Sequence, residues 1–68
     1  MNTIKIRDTD IDINSIESIK TYSNIQFLGH VYYLDIVMKS GYLHSFDFND
    51  IYRRDQCYNE LVQRWINV

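Results

Sequence analysis

Residues 30–48 constrain the fold most, because two runs of strand-forming residues flank a short turn sequence, Lys39-Ser40-Gly41. A two-residue turn at Ser40-Gly41 would mix polar and apolar side chains on both faces of the hairpin. A three-residue loop instead gives the cross-strand pairs Met38/Tyr42, Ile36/His44, Leu34/Phe46 and Tyr32/Phe48. This register gathers nearly all the bulky groups on one face and puts Gly41 at the left-handed position of a G1 bulge. We therefore predict a hairpin over residues 30–48 with a three-residue loop.

The N-terminal third contains short segments in which apolar and polar residues alternate. The apolar residues of segment 3–7 fall on even positions, whereas those of segment 10–14 fall on odd positions. This shift of parity predicts two short strands, or one bent strand. Residues 14–17 match a helical capping box, so residues 16–20 form either one helical turn or the start of a strand, and a turn that leads into a strand over residues 17–23 is favoured. Residues 23–29 are predicted to form a loop.

The C-terminal third predicts one amphipathic helix over residues 50–66. Asn49 and Asp50 are its predicted capping residues, and an acidic group is favourable at this end of a helix. Its apolar side chains recur every three or four residues, at Ile51, Tyr58, Leu61 or Val62, and Trp65. Arg53 and Arg54 are predicted to lie on its polar face.

These elements predict one α+β domain that spans residues 1–68. Its sheet is antiparallel and has three to four strands, and the C-terminal helix packs on one face of that sheet. The apolar stripe of the helix is expected to contact the apolar face of the central hairpin.

Length and charge exclude several classes of function. The chain has 68 residues and a formal net charge of −2. An electrostatic nucleic-acid binder would be markedly basic, so this charge argues against direct nucleic-acid binding, and it is too mild for a DNA mimic. No apolar run approaches a membrane span and no secretory signal follows Met1, which predicts a cytoplasmic protein without membrane contact. The single cysteine, Cys57, is compatible with a reducing compartment.

The sequence contains no pattern that predicts catalysis. It has no phosphate-binding glycine loop, no catalytic triad pattern and no helix-borne zinc motif. The soft metal ligands His30, His44 and Cys57 lie on three different predicted elements, without the spacing of a structural zinc site. We therefore expect no catalytic residue, no metal site and no cofactor, and hence a protein that is not an enzyme.

Asp8, Asp10 and Asp12 alternate along the chain and form a candidate acidic patch. In an extended segment their carboxylates would lie on one face, about 7 Å apart. The patch is either a site for a cation or a basic partner, or a solvated strand edge whose charges discourage pairing. The solvated edge is favoured, because the spacing does not match a calcium-binding loop.

Six tyrosines in so small a domain cannot all be buried with their hydroxyl groups satisfied. The predicted hairpin register leaves a polar face, and exposed tyrosine beside aspartate and arginine is typical of protein-binding surfaces. The predicted partner-binding residues are Tyr33, Asp35, Asp47, Tyr52, Arg53 and Arg54. The alternative interpretation is ordinary amphipathic packing for the tyrosines and local ion pairs for the arginines.

As a short, motif-free chain rich in tyrosine, asparagine and isoleucine, the protein resembles in general character the small proteins of phages and mobile elements, including anti-CRISPR and other anti-defence inhibitors. That resemblance implies stoichiometric binding to a protein partner, such as a CRISPR–Cas or other immune-complex subunit, and no residue role is carried over from it. Two further functions stay open. One is a nucleic-acid-binding module whose aromatic side chains stack on bases, and the other is a homo-oligomeric structural subunit, which includes a homodimer.

Overall fold

The computed structural model describes residues 2–27 and 29–67. Along this part of the chain lie β1 (Thr3–Ile6), β2 (Thr9–Asp12), a short 3-10 helix (Ile13–Ser15), β3 (Ile16–Gln26), β4 (Gly29–Met38), β5 (Leu43–Phe48) and α1 (Ile51–Ile66). Strands β3, β4 and β5 form a three-stranded antiparallel sheet in that order. Strands β1 and β2 form a separate two-stranded antiparallel sheet. The predicted α+β class, with an antiparallel sheet and a C-terminal helix, is confirmed.

The hydrophobic core lies between the three-stranded sheet and α1. Leu34, Ile36 and Phe46 project from one face of the sheet and are buried together with Leu61 of α1. The N-terminal segments add four buried isoleucines to the same core, namely Ile4, Ile6, Ile11 and Ile13. We call this face of the sheet the core face and the opposite one the outer face.

The central hairpin has the register that the sequence predicted. The observed pairs include Ile36/His44, Leu34/Phe46 and Tyr32/Phe48. Two backbone hydrogen bonds of 2.8 Å close the loop: Met38 N–H donates to the Tyr42 carbonyl, and Gly41 N–H donates to the Met38 carbonyl. Gly41 has a φ of 92°, in the left-handed region that glycine enters without steric cost. The three-residue loop is therefore confirmed.

The N-terminal segment folds as two paired strands and not as one bent strand. The pairs run from Thr3/Asp12 to Ile6/Thr9. The turn between them consists of Arg7 and Asp8, and Arg7 has a φ of 56°, in a position where such turns favour glycine. The Arg7 guanidinium donates to the Asp47 backbone carbonyl and lies 4.6 Å from the centroid of the Phe48 ring. These contacts offset the unfavourable backbone conformation.

The predicted capping box at residues 14–17 is wrong. Asp12 caps the 3-10 helix instead, since its carboxylate accepts hydrogen bonds from the Asn14 backbone N–H at 3.1 Å and from the Ser15 hydroxyl at 2.9 Å. Glu17 already lies in β3. The Asp12 carboxylate finds its donors two and three positions later, in the Asn14 backbone N–H and the Ser15 hydroxyl, whereas residues 16 and 17, whose N–H groups an Asn14 cap would need, already lie in β3.

The predicted loop over residues 23–29 is also wrong. Strand β3 continues through Gln26, which pairs with Gly29 at the start of β4. Phe27 follows β3 in the connection, and Leu28 lies outside the described residues. Polar side chains in this stretch suggested a loop, but residues 20–26 are exposed strand, and exposed strands tolerate polar residues on both faces.

The C-terminal helix begins and ends close to the predicted residues. Asp50 is its N-cap, and the Asp50 carboxylate accepts a first-turn backbone N–H at 2.9 Å. Leu61 is fully buried, and Tyr58 and Trp65 pack against the core as predicted. The placement of Arg54 on the polar face is wrong, because this residue is only 7% exposed. Within residues 2–27 and 29–67, no helix combines the length and apolar character needed to cross a membrane.

Candidate functional site

The outer face of the three-stranded sheet is the candidate site. It consists of Ser18, Lys20, Tyr22 and Asn24 from β3, Val31, Tyr33, Asp35 and Val37 from β4, and Leu43, Ser45 and Asp47 from β5. The buried residues of β1, β2 and α1 all pack with the core face, so none of the described elements covers the outer face. This face therefore remains accessible to a partner.

Two stacked tyrosines form the centre of this face. Tyr22 and Tyr33 are cross-strand neighbours, with ring centroids 4.8 Å apart and ring planes inclined by 14°. Tyr22 remains 40% exposed, and Tyr33 is half-buried. Cross-strand aromatic pairs stabilise a sheet, and exposed tyrosine rings give a partner both apolar area and hydroxyl groups. The prediction included Tyr33 but missed Tyr22.

Asp35 lies on the same face as the tyrosine pair, and it is buried there, so it does not present a free charge to a partner. It is 5% exposed, and its Oδ1 accepts a hydrogen bond of 2.6 Å from the Ser45 hydroxyl. Lys20 is its partner in the β3 register and brings a positive charge to the same row. A buried carboxylate needs such partners, since removal from water is costly. Asp35 was predicted as a contact residue, and its burial instead gives it a positioning role.

Partial burial, and secondly the negative charge of Asp35, raise the pKa of the Tyr22 phenol above its usual 10.0. The folded protein therefore holds this proton more tightly than the unfolded chain does. The protonated Tyr22 phenol makes its full contribution to the free energy of unfolding below about pH 10. That contribution is lost as the pH rises through the raised pKa.

We expect the Tyr22→Phe variant to lose less stability than the wild-type protein between about pH 9 and about pH 11. The measurement is urea unfolding at each pH. The control is Tyr52→Phe, which removes the hydroxyl group of a tyrosine that is 82% exposed. Identical curves for the wild-type protein and Tyr22→Phe would contradict the raised pKa of the Tyr22 phenol.

Asp47 connects the outer face to a cleft at the start of α1. Its carboxylate lies 3.4 Å from Arg7 Nη1, and both side chains are exposed. The cleft has a volume of about 460 Å³ and is lined by Arg7, Asp47, Phe48, Asn49, Asp50 and Arg53. The structure thus brings the predicted residues Asp47 and Arg53 together. Two guanidinium groups face two carboxylates there, so the cleft favours neither anions nor cations.

Arg54 is a structural residue of the core side of the sheet. Its Nη1 donates to the backbone carbonyls of Tyr22 and Tyr33, each at 3.2 Å, and its Nε donates to Asp55 at 2.7 Å. The guanidinium also lies 5.7 Å from the centroid of the Tyr32 ring. With its donors engaged inside the fold, Arg54 is unavailable to a partner. It anchors the backbone of the tyrosine pair from the other side of the sheet.

Tyr52 and the acidic patch lie away from the outer face. Tyr52 is in the first turn of α1, and Asp8 is in the turn between β1 and β2. Asp10 and Asp12 are exposed on β2, but Asp12 already caps the 3-10 helix. Among residues 2–27 and 29–67, no three histidine, cysteine or acidic side chains are close enough together to hold a metal ion.

The soft ligands have packing roles. His30 stacks on Tyr32, and His44 packs between Tyr42 and Phe46. Burial, and secondly the charge of Glu60, raise the pKa of the Cys57 thiol, against a smaller effect of Arg7. A raised thiol pKa disfavours the nucleophilic thiolate.

No protein-family model, curated protein or solved structure matches the chain. The candidate site therefore rests on its geometry. Tyr22 and Lys20 were missed because the sequence analysis assigned no register between the predicted strand 17–23 and the central hairpin, so their place beside Tyr33 and Asp35 was not foreseen. The alternation of Lys20, Tyr22, Asn24 and Gln26 was the signal that could have found them.

Proposed function

We propose that this protein is a non-enzymatic, protein-binding inhibitor of the phage anti-CRISPR or anti-defence kind, which binds and blocks a bacterial immune complex through the outer face. The observation that carries this proposal is the stacked Tyr22–Tyr33 pair on an uncovered sheet face. Tyrosine is enriched at interface centres, where its ring excludes water at a low cost in side-chain entropy. Inhibition then follows from occlusion of the partner's own binding surface.

Hydrogen bonds that position the tyrosine pair support a binding role for this face. Arg54 holds the Tyr22 and Tyr33 backbones, and the Ser45 hydroxyl holds Asp35 beside them. A surface that is already ordered loses little conformational entropy on binding, so more of the contact energy contributes to affinity.

The aromatic rings of this face favour a basic partner surface. Asp47 is exposed at one end of the face, where Arg7 lies 3.4 Å from its carboxylate, and the tyrosine rings present their negative π-electron clouds. Lys20 and Asp35 share a row and offset each other. Arginine and lysine side chains of a partner can contact the faces of the tyrosine rings. CRISPR effector proteins expose such basic surfaces because they hold nucleic acid.

The same charges argue against a nucleic-acid-binding module. Base stacking on Tyr22 and Tyr33 would bring phosphates close to Asp47, and Lys20 alone supplies a positive side chain to the three strands of this face among the described residues. Nucleic-acid binding surfaces instead combine aromatic rings with a positively charged groove.

The proposal is tested with a tagged protein in nuclease-treated bacterial lysate, followed by identification of the bound protein by mass spectrometry. Binding to the purified partner is then measured for the wild-type protein and Tyr33→Ala. We expect Tyr33→Ala to weaken binding by about tenfold or more, because an interface tyrosine contributes over about 1.4 kcal/mol. The bound target should also lose its nucleic-acid binding or nuclease activity.

Tyr42→Ala is the matched control, since Tyr42 is 62% exposed but lies in the hairpin turn. It should bind the partner as the wild-type protein does. Full binding by a folded Tyr33→Ala protein would refute the outer face as the binding surface. Loss of every captured protein after nuclease treatment would refute protein binding and favour the nucleic-acid module.

A further inference from the structure

Strand β3 is an edge strand whose second edge is open. Within the described residues it pairs with β4, and residues 20–26 are exposed along their whole length. An open edge presents unpaired backbone N–H and C=O groups that can pair with another strand. Proteins usually protect such edges with proline or several charges, but Lys20 is the single charged residue in segment 18–26, which contains no proline.

The sequence of this edge is self-complementary about Tyr22. Segment 18–26 reads Ser-Ile-Lys-Thr-Tyr-Ser-Asn-Ile-Gln, and residues equally distant from Tyr22 have similar character. In an antiparallel pair with its two-fold axis at Tyr22, each residue lies opposite its counterpart in a second copy. The resulting pairs are Tyr22/Tyr22, Thr21/Ser23, Lys20/Asn24, Ile19/Ile25 and Ser18/Gln26. None of them places like charges opposite each other.

Two side chains on this strand have apolar surface that a second copy would cover. Ile25 is 81% exposed on the core face, although Ile19 on the same face packs against the core. The Tyr22 ring is stacked on Tyr33 on one side and remains 40% exposed. The same register covers both, since Ile25 meets Ile19 of the second copy and Tyr22 meets its own counterpart.

We propose that the protein forms a homodimer in which β3 pairs antiparallel with β3 of a second copy, with the two-fold axis at Tyr22. The two sheets then join into one of six strands. Tyr33, Tyr22 and their counterparts form a row of four tyrosines across the joined outer face. Shifts of the register by two residues are disfavoured, because they place Ile25 opposite Glu17 or Thr21.

This inference concerns self-association and does not depend on the proposed inhibitor function. A protein partner would meet the outer face of either a monomer or a dimer. Pairing of the β3 edges would also cover the longest open strand edge in the described part of the chain. An open edge of this kind promotes aggregation, because it can pair with strands of other chains.

The first test is sedimentation equilibrium of the purified protein over a range of concentrations. We expect a species of twice the 8.2 kDa mass of one chain. Ile25→Asp should raise the dissociation constant of the dimer about a hundredfold, because each dimer loses two apolar contacts. Leu43→Asp is the control, since Leu43 is 51% exposed on the other edge strand and its replacement should leave the dimer intact.

The second test fixes the register by disulfide cross-linking in a Cys57→Ser background. Tyr22→Cys should form a covalent dimer under mild oxidation, because directly opposite residues have Cα atoms about 4.5–5.5 Å apart, within the range of a disulfide. Asn24→Cys alone should not cross-link, whereas a mixture of Asn24→Cys and Lys20→Cys proteins should.

Three results would overturn the proposal. One is a monomer at every concentration. Another is a dimer that Leu43→Asp dissociates while Ile25→Asp does not. The third is cross-linking by Asn24→Cys alone without cross-linking by Tyr22→Cys. Circular dichroism of Ile25→Asp should show that the variant is folded, because Ile25 is 81% exposed.

Discussion

The Leu61→Ala variant is expected to lose about 3 kcal/mol of its free energy of unfolding. Leu61 is fully buried, and it joins α1 to the sheet residues Leu34, Ile36 and Phe46. Truncation removes the transfer free energy of its side chain and leaves a cavity that the close-packed core fills only partly. A domain of this size has a total stability of about 3–10 kcal/mol, so the variant loses a large part of it.

Thermal and urea unfolding measure this effect. We expect the melting temperature of Leu61→Ala to fall by about 15 °C. Ile66→Ala is the matched control, because Ile66 is an aliphatic residue of the same helix that is 67% exposed. Its replacement should change the stability by less than about 0.5 kcal/mol. Equal effects of the two replacements would contradict the packing of α1 through Leu61.

The Arg54→Ala variant is expected to lose about 2 kcal/mol of stability. The replacement removes a charged donor from two sheet carbonyls and leaves a cavity between α1 and the sheet. Arg54→Lys should recover little, because a single ammonium group cannot reproduce the fork of the guanidinium, which reaches Asp55 and the carbonyls together. Urea unfolding of both variants measures these losses.

Arg53→Ala is the control for this experiment, since Arg53 is the neighbouring arginine and is exposed. It should change the stability by less than about 0.5 kcal/mol. Arg54→Ala should also loosen the Tyr22–Tyr33 pair, because Arg54 fixes both backbones. Near-ultraviolet circular dichroism should report that change. Equal stabilities of the Arg53 and Arg54 variants would contradict a structural role for Arg54.

The central hairpin and the helix were predictable because their signals are local. The alternation of side chains along two adjacent strands, together with the glycine at position 41, was enough to choose a three-residue loop over a two-residue loop. The start of α1 could be predicted from a capping aspartate, and the side of α1 that faces the core could be predicted from apolar residues at helical spacing. Each of these signals acts over a few residues, and the tertiary fold did not oppose it.

The end of strand β3 and the burial of Arg54 could not be predicted from such local signals. Residues 23–26 carry polar side chains that are equally compatible with a loop, and they become strand because β4 supplies a partner for each of them. Arg54 has a charge that predicts exposure, but it is buried because two sheet carbonyls and Asp55 accept its hydrogen bonds. Neither set of partners can be identified from nearby residues in the sequence.

The candidate site, likewise, was only partly predictable from the sequence. The sequence placed Tyr33, Asp35 and Asp47 on one polar face, because the side chains of a strand alternate strictly between its two faces. The tertiary structure decided that Tyr22 stacks on Tyr33, that Asp35 is buried beside Ser45 and that Arg54 supports the pair from the core side. By itself, the sequence determined which residues share a face, since that depends on backbone periodicity. Only the tertiary structure decided which of them are exposed, because exposure depends on neighbours that are distant in the chain.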